Sequence, residues 1–186
     1  QFFTINNYGI NGNDVDAMWN NLYSGVMKDL FEMRRIAEAN AYNHYVGVAK
    51  ALEAYTMMMT TDLFGDVPFS EAFQGTDNLE PAFDTQEAVY AAIFSLLDEA
   101  RTLFAGEAGG QAPGAEDLIY GGDIAQWIKF RNVLEARGRL HLSNQDASNY
   151  TQALTALADG FTSSADDAKL AFSASSPAPW FQYIED

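Results

Sequence analysis

The chain has 186 residues, of which 26 are Asp or Glu and 10 are Lys or Arg, giving a formal net charge of −16. That surplus of acid argues against nucleic acid or an anionic membrane surface as a partner, since both reward clustered cations. A composition of 48% hydrophobic and 19% charged residues is globular rather than disordered, and without cysteine there is no disulfide, thiolate metal site or cysteine nucleophile.

The chain opens at Gln1 without an initiator methionine, which reads as a leader removed upstream or never included in this sequence. Residues 1–13 are expected to lie extended on a scaffold. The first helix is predicted over Asp14–Asn40, with Asp14 as N-cap and Trp19, Leu22, Val26, Leu30, Met33 and Ala37 as its apolar stripe. The second runs over Tyr42–Leu63 and is stopped by Gly65 and Pro68. So short a link predicts an antiparallel hairpin.

A connection from Gly65 to Asp84 follows, long enough without regular structure to suggest function or docking on the scaffold. Thr85 caps a third helix whose stripe is Val89, Ala92, Ile93, Leu96, Leu97, Ala100 and Phe104. A Gly/Ala/Pro-rich loop, Gly106–Gly114, precedes a fourth helix over Asp123–Ser143, and a shorter one covers Tyr150–Ala158. No segment sustains strand-like alternation, so the fold class is all-α, antiparallel helical hairpins stacked in a tetratricopeptide-like manner with long decorating loops. Residues 1–186 are expected to form one helical-repeat domain with 165–186 extended, although the tetratricopeptide signature itself is missing.

No phosphate-binding, nucleophile-elbow or zinc-protease pattern is present. His44 and His141 sit at helix ends, where capping or solvation is expected rather than metal binding. Asp62 and Asp66 flank a glycine turn without the alternating acids of a calcium loop, so no metal or other cofactor is expected. Arg131 and Arg137 are placed on or beside the apolar face of the fourth helix, with Asp98 and Glu99 as the expected ion-pair partners. Rings in loops and termini, among them Tyr120, Trp180, Phe181 and Tyr183, are the kind on which pyranose faces stack.

Several strings read together resemble the SusD/RagB-like outer-membrane nutrient-binding lipoproteins, in the starch-binding-associated SusD-like subgroup. They are Trp19-Asn20-Asn21-Leu22-Tyr23, Ala49–Thr56 running into Thr61-Asp62-Leu63-Phe64-Gly65-Asp66-Val67-Pro68, Asp117–Asp123, Trp127–Phe130, Leu134–Leu140 and Asp166–Leu170. The resemblance implies non-enzymatic capture of oligosaccharide or polysaccharide at the surface of Bacteroidetes-type bacteria. It also implies delivery to a TonB-dependent, SusC-like transporter and a lipid anchor whose cysteine is not in this chain. Family members are longer, so the chain reads as the N-terminal part of one. Within the motif, Gly65 and Pro68 are expected to end a helix and Asp66 to satisfy backbone donors of the turn. A helical-repeat adaptor for protein partners is the alternative, and a glycosidase using loop carboxylates is disfavoured.

Overall fold

A computed structural model describes Gly9 and residues 11–179. Its helices are α1 (Gly12–Asn20), α2 (Lys28–Ala39), α3 (Asn43–Phe64), α4 (Gln86–Ala105), α5 (Ile124–His141) and α6 (Ser148–Leu157). A π-helical segment, Asn21–Met27, joins α1 to α2 without a break. Among the described residues there is no strand, only isolated bridges such as Val67 with Asp84. The all-α hairpin stack expected from periodicity is the fold observed.

Asn11, rather than Asp14, caps the first helix. Its side chain accepts a hydrogen bond from the Asn13 amide at 3.0 Å, and Asp14 reaches back to accept from the Asn11 amide at 2.8 Å. This is a capping box, in which the acid expected at the cap serves three residues on. The π segment then shifts the stripe. Each π turn takes up an extra residue, so the apolar face passes from Trp19 to Tyr23 and Met27 rather than to Leu22 and Val26. Met27 is 1% exposed, whereas Val26 is 47% exposed.

Helix α3 is the centre of the stack. It packs on α2 along one side and on α4 along the other, with α5 completing the core. Most of its residues between Val46 and Thr61 are buried, which is why its pattern is less one-sided than that of a surface helix. Small residues let neighbours approach closely: a Cβ on Gly47 would lie 2.6 Å from the Phe104 ring of α4. From α4, Val89, Ile93 and Leu97 are fully buried, each contributing about 1.5–3 kcal/mol. Trp127, Phe130 and Leu134 of α5 close the core from below. Two buried threonines of α3 satisfy themselves locally, Thr56 donating to the Leu52 carbonyl at 2.8 Å and Thr60 to the Thr56 carbonyl at 2.7 Å.

Helix α6 packs along α5, and the chain after it is pinned rather than loose. The buried Asp166 carboxylate accepts from Lys129 Nζ at 2.6 Å, from the Thr162 amide at 2.7 Å and from the Ser163 amide at 3.2 Å. Segment Ser164–Asp166 is a 3-10 turn, so the expected extended tail starts later than residue 165. Trp180, Phe181 and Tyr183 lie outside the described residues.

The ionic network differs in part from expectation. Arg131 is 2% exposed, donates from Nε to the Leu97 carbonyl at 2.8 Å, and pairs with Asp98 at 3.1 Å and Glu135 at 2.6 Å. Glu99 goes instead to the buried Lys50 of α3, at 2.7 Å. Arg137 is exposed and has no ion pair among the described residues. Arg131, Leu134 and Gly138 turn inward, which leaves Arg137 on the solvent side of the same helix.

Candidate functional site

The connection between α3 and α4 is a closed loop rather than an open strap. Helix α3 ends at Gly65, whose φ of +76° is available to glycine at little cost and turns the chain back on itself. Val67 and Asp84 then exchange both backbone hydrogen bonds, at 3.1 Å each, joining the two ends of the loop at a neck.

Side chains reinforce that neck. The Asp84 carboxylate accepts from the amides of Phe69 and Ser70 at 2.9 and 2.7 Å and from the Ser70 hydroxyl at 2.8 Å. Partial burial opposes its ionisation, but the bonds from Ser70 and Phe69 outweigh that and hold its pKa below the ordinary value. The sequence predicts that Asp66 satisfies donors of its own turn, but its bond goes across the loop instead. It accepts from the Gln86 amide, the first of α4, at 2.8 Å. The Gln86 side chain in turn donates to the Thr61 carbonyl at 2.8 Å. Inside the loop, Glu71 accepts from Asn78 Nδ2 and from the Ala82 amide, both at 3.0 Å.

The braced loop sits against an aromatic cluster. Trp19 lies 4.6 Å from Tyr23, 5.0 Å edge-on from Phe64 and 6.5 Å from Phe83 in a stacked arrangement. Phe73 bridges Tyr23 and Phe31 at 6.3 and 5.6 Å. Tyr23 donates to the Pro68 carbonyl at 2.8 Å, and burial, followed by the Asp84 charge, pushes its pKa up. At the edge of this cluster Phe83 is 64% exposed. The result is a ledge of ring surface, Trp19 and the exposed Phe83, on the side of a loop that also carries Asp84 and Glu71.

The other residues singled out from sequence have different settings. Tyr120 is half-buried, packs edge-on against Trp127 and Phe130 at 5.2 and 6.5 Å, and donates to the Asp166 carbonyl at 3.0 Å. Its ring and hydroxyl are both engaged within the chain. Asp62 joins a cluster that sequence reasoning missed: Tyr90 donates to Asp62 Oδ1 at 2.5 Å, and His141 Nδ1 lies 2.7 Å from the Tyr90 hydroxyl and 3.1 Å from Asp62 Oδ2. These residues tie the ends of α3 and α5 to the start of α4. The signal for it was weak, since only the stacking of three helices brings 62, 90 and 141 together. His44 Nε2 lies 3.1 Å from the Gly106 carbonyl. Among the described residues no cluster of three His, Asp or Glu has the geometry to hold a metal ion.

Comparison with known proteins is consistent with this architecture. The family model of SusD-like proteins described as "starch-binding associating with outer membrane" matches residues 1–185. A SusD/RagB family protein from Bacteroides thetaiotaomicron superposes with a TM-score of 0.82 at 26% identity, over 92% of this chain and 36% of that one. A Bacteroidetes SusD-like protein gives 0.76 at 31% identity, over 88% of this chain and 30% of that one. A chitin-binding SusD homologue from Flavobacterium johnsoniae gives 0.66 at 27% identity, over 76% and 30%. The chain thus spans about a third of the length of these structures. None of the curated proteins compared with it matches. With its helical stack, its braced loop and a family match over nearly every residue, the chain belongs to the SusD-like family.

Proposed function

We propose that the chain captures glycans at the bacterial outer-membrane surface, cleaves nothing, and passes them to a TonB-dependent, SusC-like transporter. The observation that carries this reading is the ledge of Trp19 and the exposed Phe83 on a loop whose neck is fixed by Asp84 and Asp66. Flat apolar rings beside polar groups fit the two faces of a pyranose, whose C–H bonds stack while its hydroxyls bond sideways. A rigid loop loses little conformational entropy on binding, which suits an open site. The description of the family as starch-binding, and of the Flavobacterium homologue as chitin-binding, gives neutral polysaccharides as the ligand class. Trp180, Phe181 and Tyr183 are proposed to add further rings, and attachment to the membrane is proposed through a lipid anchor outside this chain.

The test is a titration of the chain with maltooligosaccharides and chitooligosaccharides, followed by tryptophan fluorescence, with unrelated peptides as control. Quenching by the oligosaccharides but not the peptides is the expected result, with affinity reduced at least fivefold in Phe83→Ala. Quenching by peptides alone would favour the adaptor reading, and release of shorter sugars would overturn the non-enzymatic one.

A further inference from the structure

A second concave site lies on another part of the stack, between the start of α4 and the end of α5, with α6 and the turn before it as the third wall. It encloses about 320 Å³, at the lower end of the roughly 300–1,000 Å³ range of ligand pockets. Four amide side chains line it: Gln86 from α4, Gln145 from the turn, and Asn149 and Gln152 from α6. Arg139 lies over the Phe94 ring, its guanidinium carbon 3.9 Å from the ring centre.

The hydrogen-bonding state of these groups is uneven. Arg139 Nε is buried without a hydrogen-bond partner among the described residues, and the contact of its Nη2 with Glu135 is 3.8 Å, too long for a hydrogen bond. Gln86 spends its amide nitrogen on the Thr61 carbonyl and Asn149, only 6% exposed, spends its own on the Asp146 carbonyl. Gln152 spends its nitrogen on Ser148 Oγ. The cavity is thus lined by an arginine and by amide groups, each of which keeps a second N–H as well as its oxygen, so donors and acceptors occur together in its wall.

That mixture selects a ligand class. An anion would meet the amide oxygens and the nearby carboxylates of Glu87 and Asp146. A cation would meet Arg139. A neutral polyol satisfies both sets, because every hydroxyl donates and accepts at once. The Phe94 ring holds the guanidinium in place before any ligand arrives, so less ordering entropy is lost on binding.

Resting on the glycan-capture reading above, we infer that this cavity between α4, α5 and α6 is a second saccharide site, sized for a single neutral pyranose unit. It would hold a chain end or a short sugar, whereas the Phe83 ledge takes the length of a chain. Gln86 links the two places, since its backbone amide caps the loop neck through Asp66 while its side chain lines the cavity.

The test is an amide-resolved NMR titration of the 186-residue chain with glucose, N-acetylglucosamine and glucuronate, repeated on Arg139→Met, Gln145→Ala and Phe83→Ala. Expected are saturable shifts at Gln86, Gln145, Asn149 and Gln152 with the neutral sugars. Affinity should fall at least fivefold in Arg139→Met and in Gln145→Ala, and glucuronate should bind more weakly than glucose. Gln145 is exposed and its substitution leaves packing intact, so that variant reads the site even if Arg139→Met loosens the fold. Absence of saturable shifts at these amides overturns the inference, as does preference for glucuronate or indifference to both variants. If oligosaccharides bind and depend on Phe83 while single sugars give no response here, the cavity is refuted and the ledge stands. If single sugars respond here and oligosaccharide binding ignores Phe83, the ledge is refuted and the cavity stands.

Discussion

Asp66 and Asp84 brace the α3–α4 loop from opposite ends: Asp66, just after α3, accepts the first amide of α4, and Asp84, just before α4, accepts the amides of Phe69 and Ser70 just after α3. Each acid thus serves the chain segment next to the other. Together with the paired backbone of Val67 and Asp84, they make the spacing of the loop ends independent of what the tip does.

Replacing Asp84 by Ala removes three acceptor bonds at once. The expected cost is about 1–3 kcal/mol, read as a lower denaturant midpoint, with the helical circular dichroism of the native state unchanged. Limited proteolysis should shift to the stretch between Phe69 and Phe83. A loop cut no faster than in the parent chain would show that the neck is held by the Val67 pairing alone.

Arg131 and Arg137 offer a matched pair on one helix. Arg131→Met removes the Nε bond to the Leu97 carbonyl and leaves Glu135 without its 2.6 Å partner, and breaking such a pair where it is buried costs about 3–5 kcal/mol. Arg137→Ala touches an exposed side chain, and its effect should stay within about 0.5 kcal/mol. Urea unfolding of the two variants side by side checks the contrast. Equal midpoints would mean that the Arg131 network is energetically neutral.

These cases show what the sequence made legible. Helix spacing, the cap at Thr85 and the stop at Gly65 follow from local chemistry, and the structure has them where expected, while Asp123, predicted as the first residue of its helix, is the cap of α5. Local periodicity fails where the helix itself changes pitch. The π segment moves the stripe by one residue, which no regular repeat foretells, and exchanges Val26 for Met27 in the core. Partners distant in sequence were the second gap. Asp66 to Gln86 spans 20 positions, and Asp62 meets Tyr90 and His141 only because the ends of α3 and α5 lie beside the start of α4. For Arg137, six positions from Arg131, helical rotation decides against a shared face. The rings of the Phe83 ledge were visible as loop aromatics, but not their convergence on Trp19.

Gly47 marks a close approach of α3 and α4. A Cβ there would lie 2.6 and 2.9 Å from carbons of the Phe104 ring, which is 5% exposed and has little room to move. Gly47→Ala is therefore expected to destabilise by about 1–3 kcal/mol through overpacking, despite the better helix propensity of alanine. Phe104→Leu alone should also destabilise, but the double variant should recover part of the first loss. A double-mutant cycle from denaturant unfolding measures it, and strictly additive effects would place the strain elsewhere.

Acid should unfold the protein through specific carboxylates. Asp117 is partly desolvated, which opposes ionisation, but it accepts from Trp127 Nε1 at 2.7 Å and from the amides of Ile119, Gly122 and Tyr120, and these bonds hold its pKa below the ordinary 3.8. Asp84 and Asp166 are lowered as well, Asp166 chiefly by Lys129. A folded-state pKa below the unfolded one means that the unfolded chain binds more protons. The stabilisation is then complete above about pH 4 and drains away as pH falls through the folded values. Glu53 has the opposite sign: burial outweighs the pull of Arg34 and raises its pKa, so its contribution is lost as pH rises through the folded value. Melting curves taken from about pH 7 down to about pH 2 should show a steep acid limb, flatter in Asp117→Asn, because that variant removes one of the titrating groups. An acid limb of unchanged slope in that variant would transfer the effect to Asp84 and Asp166, where Asp84→Asn separates the two.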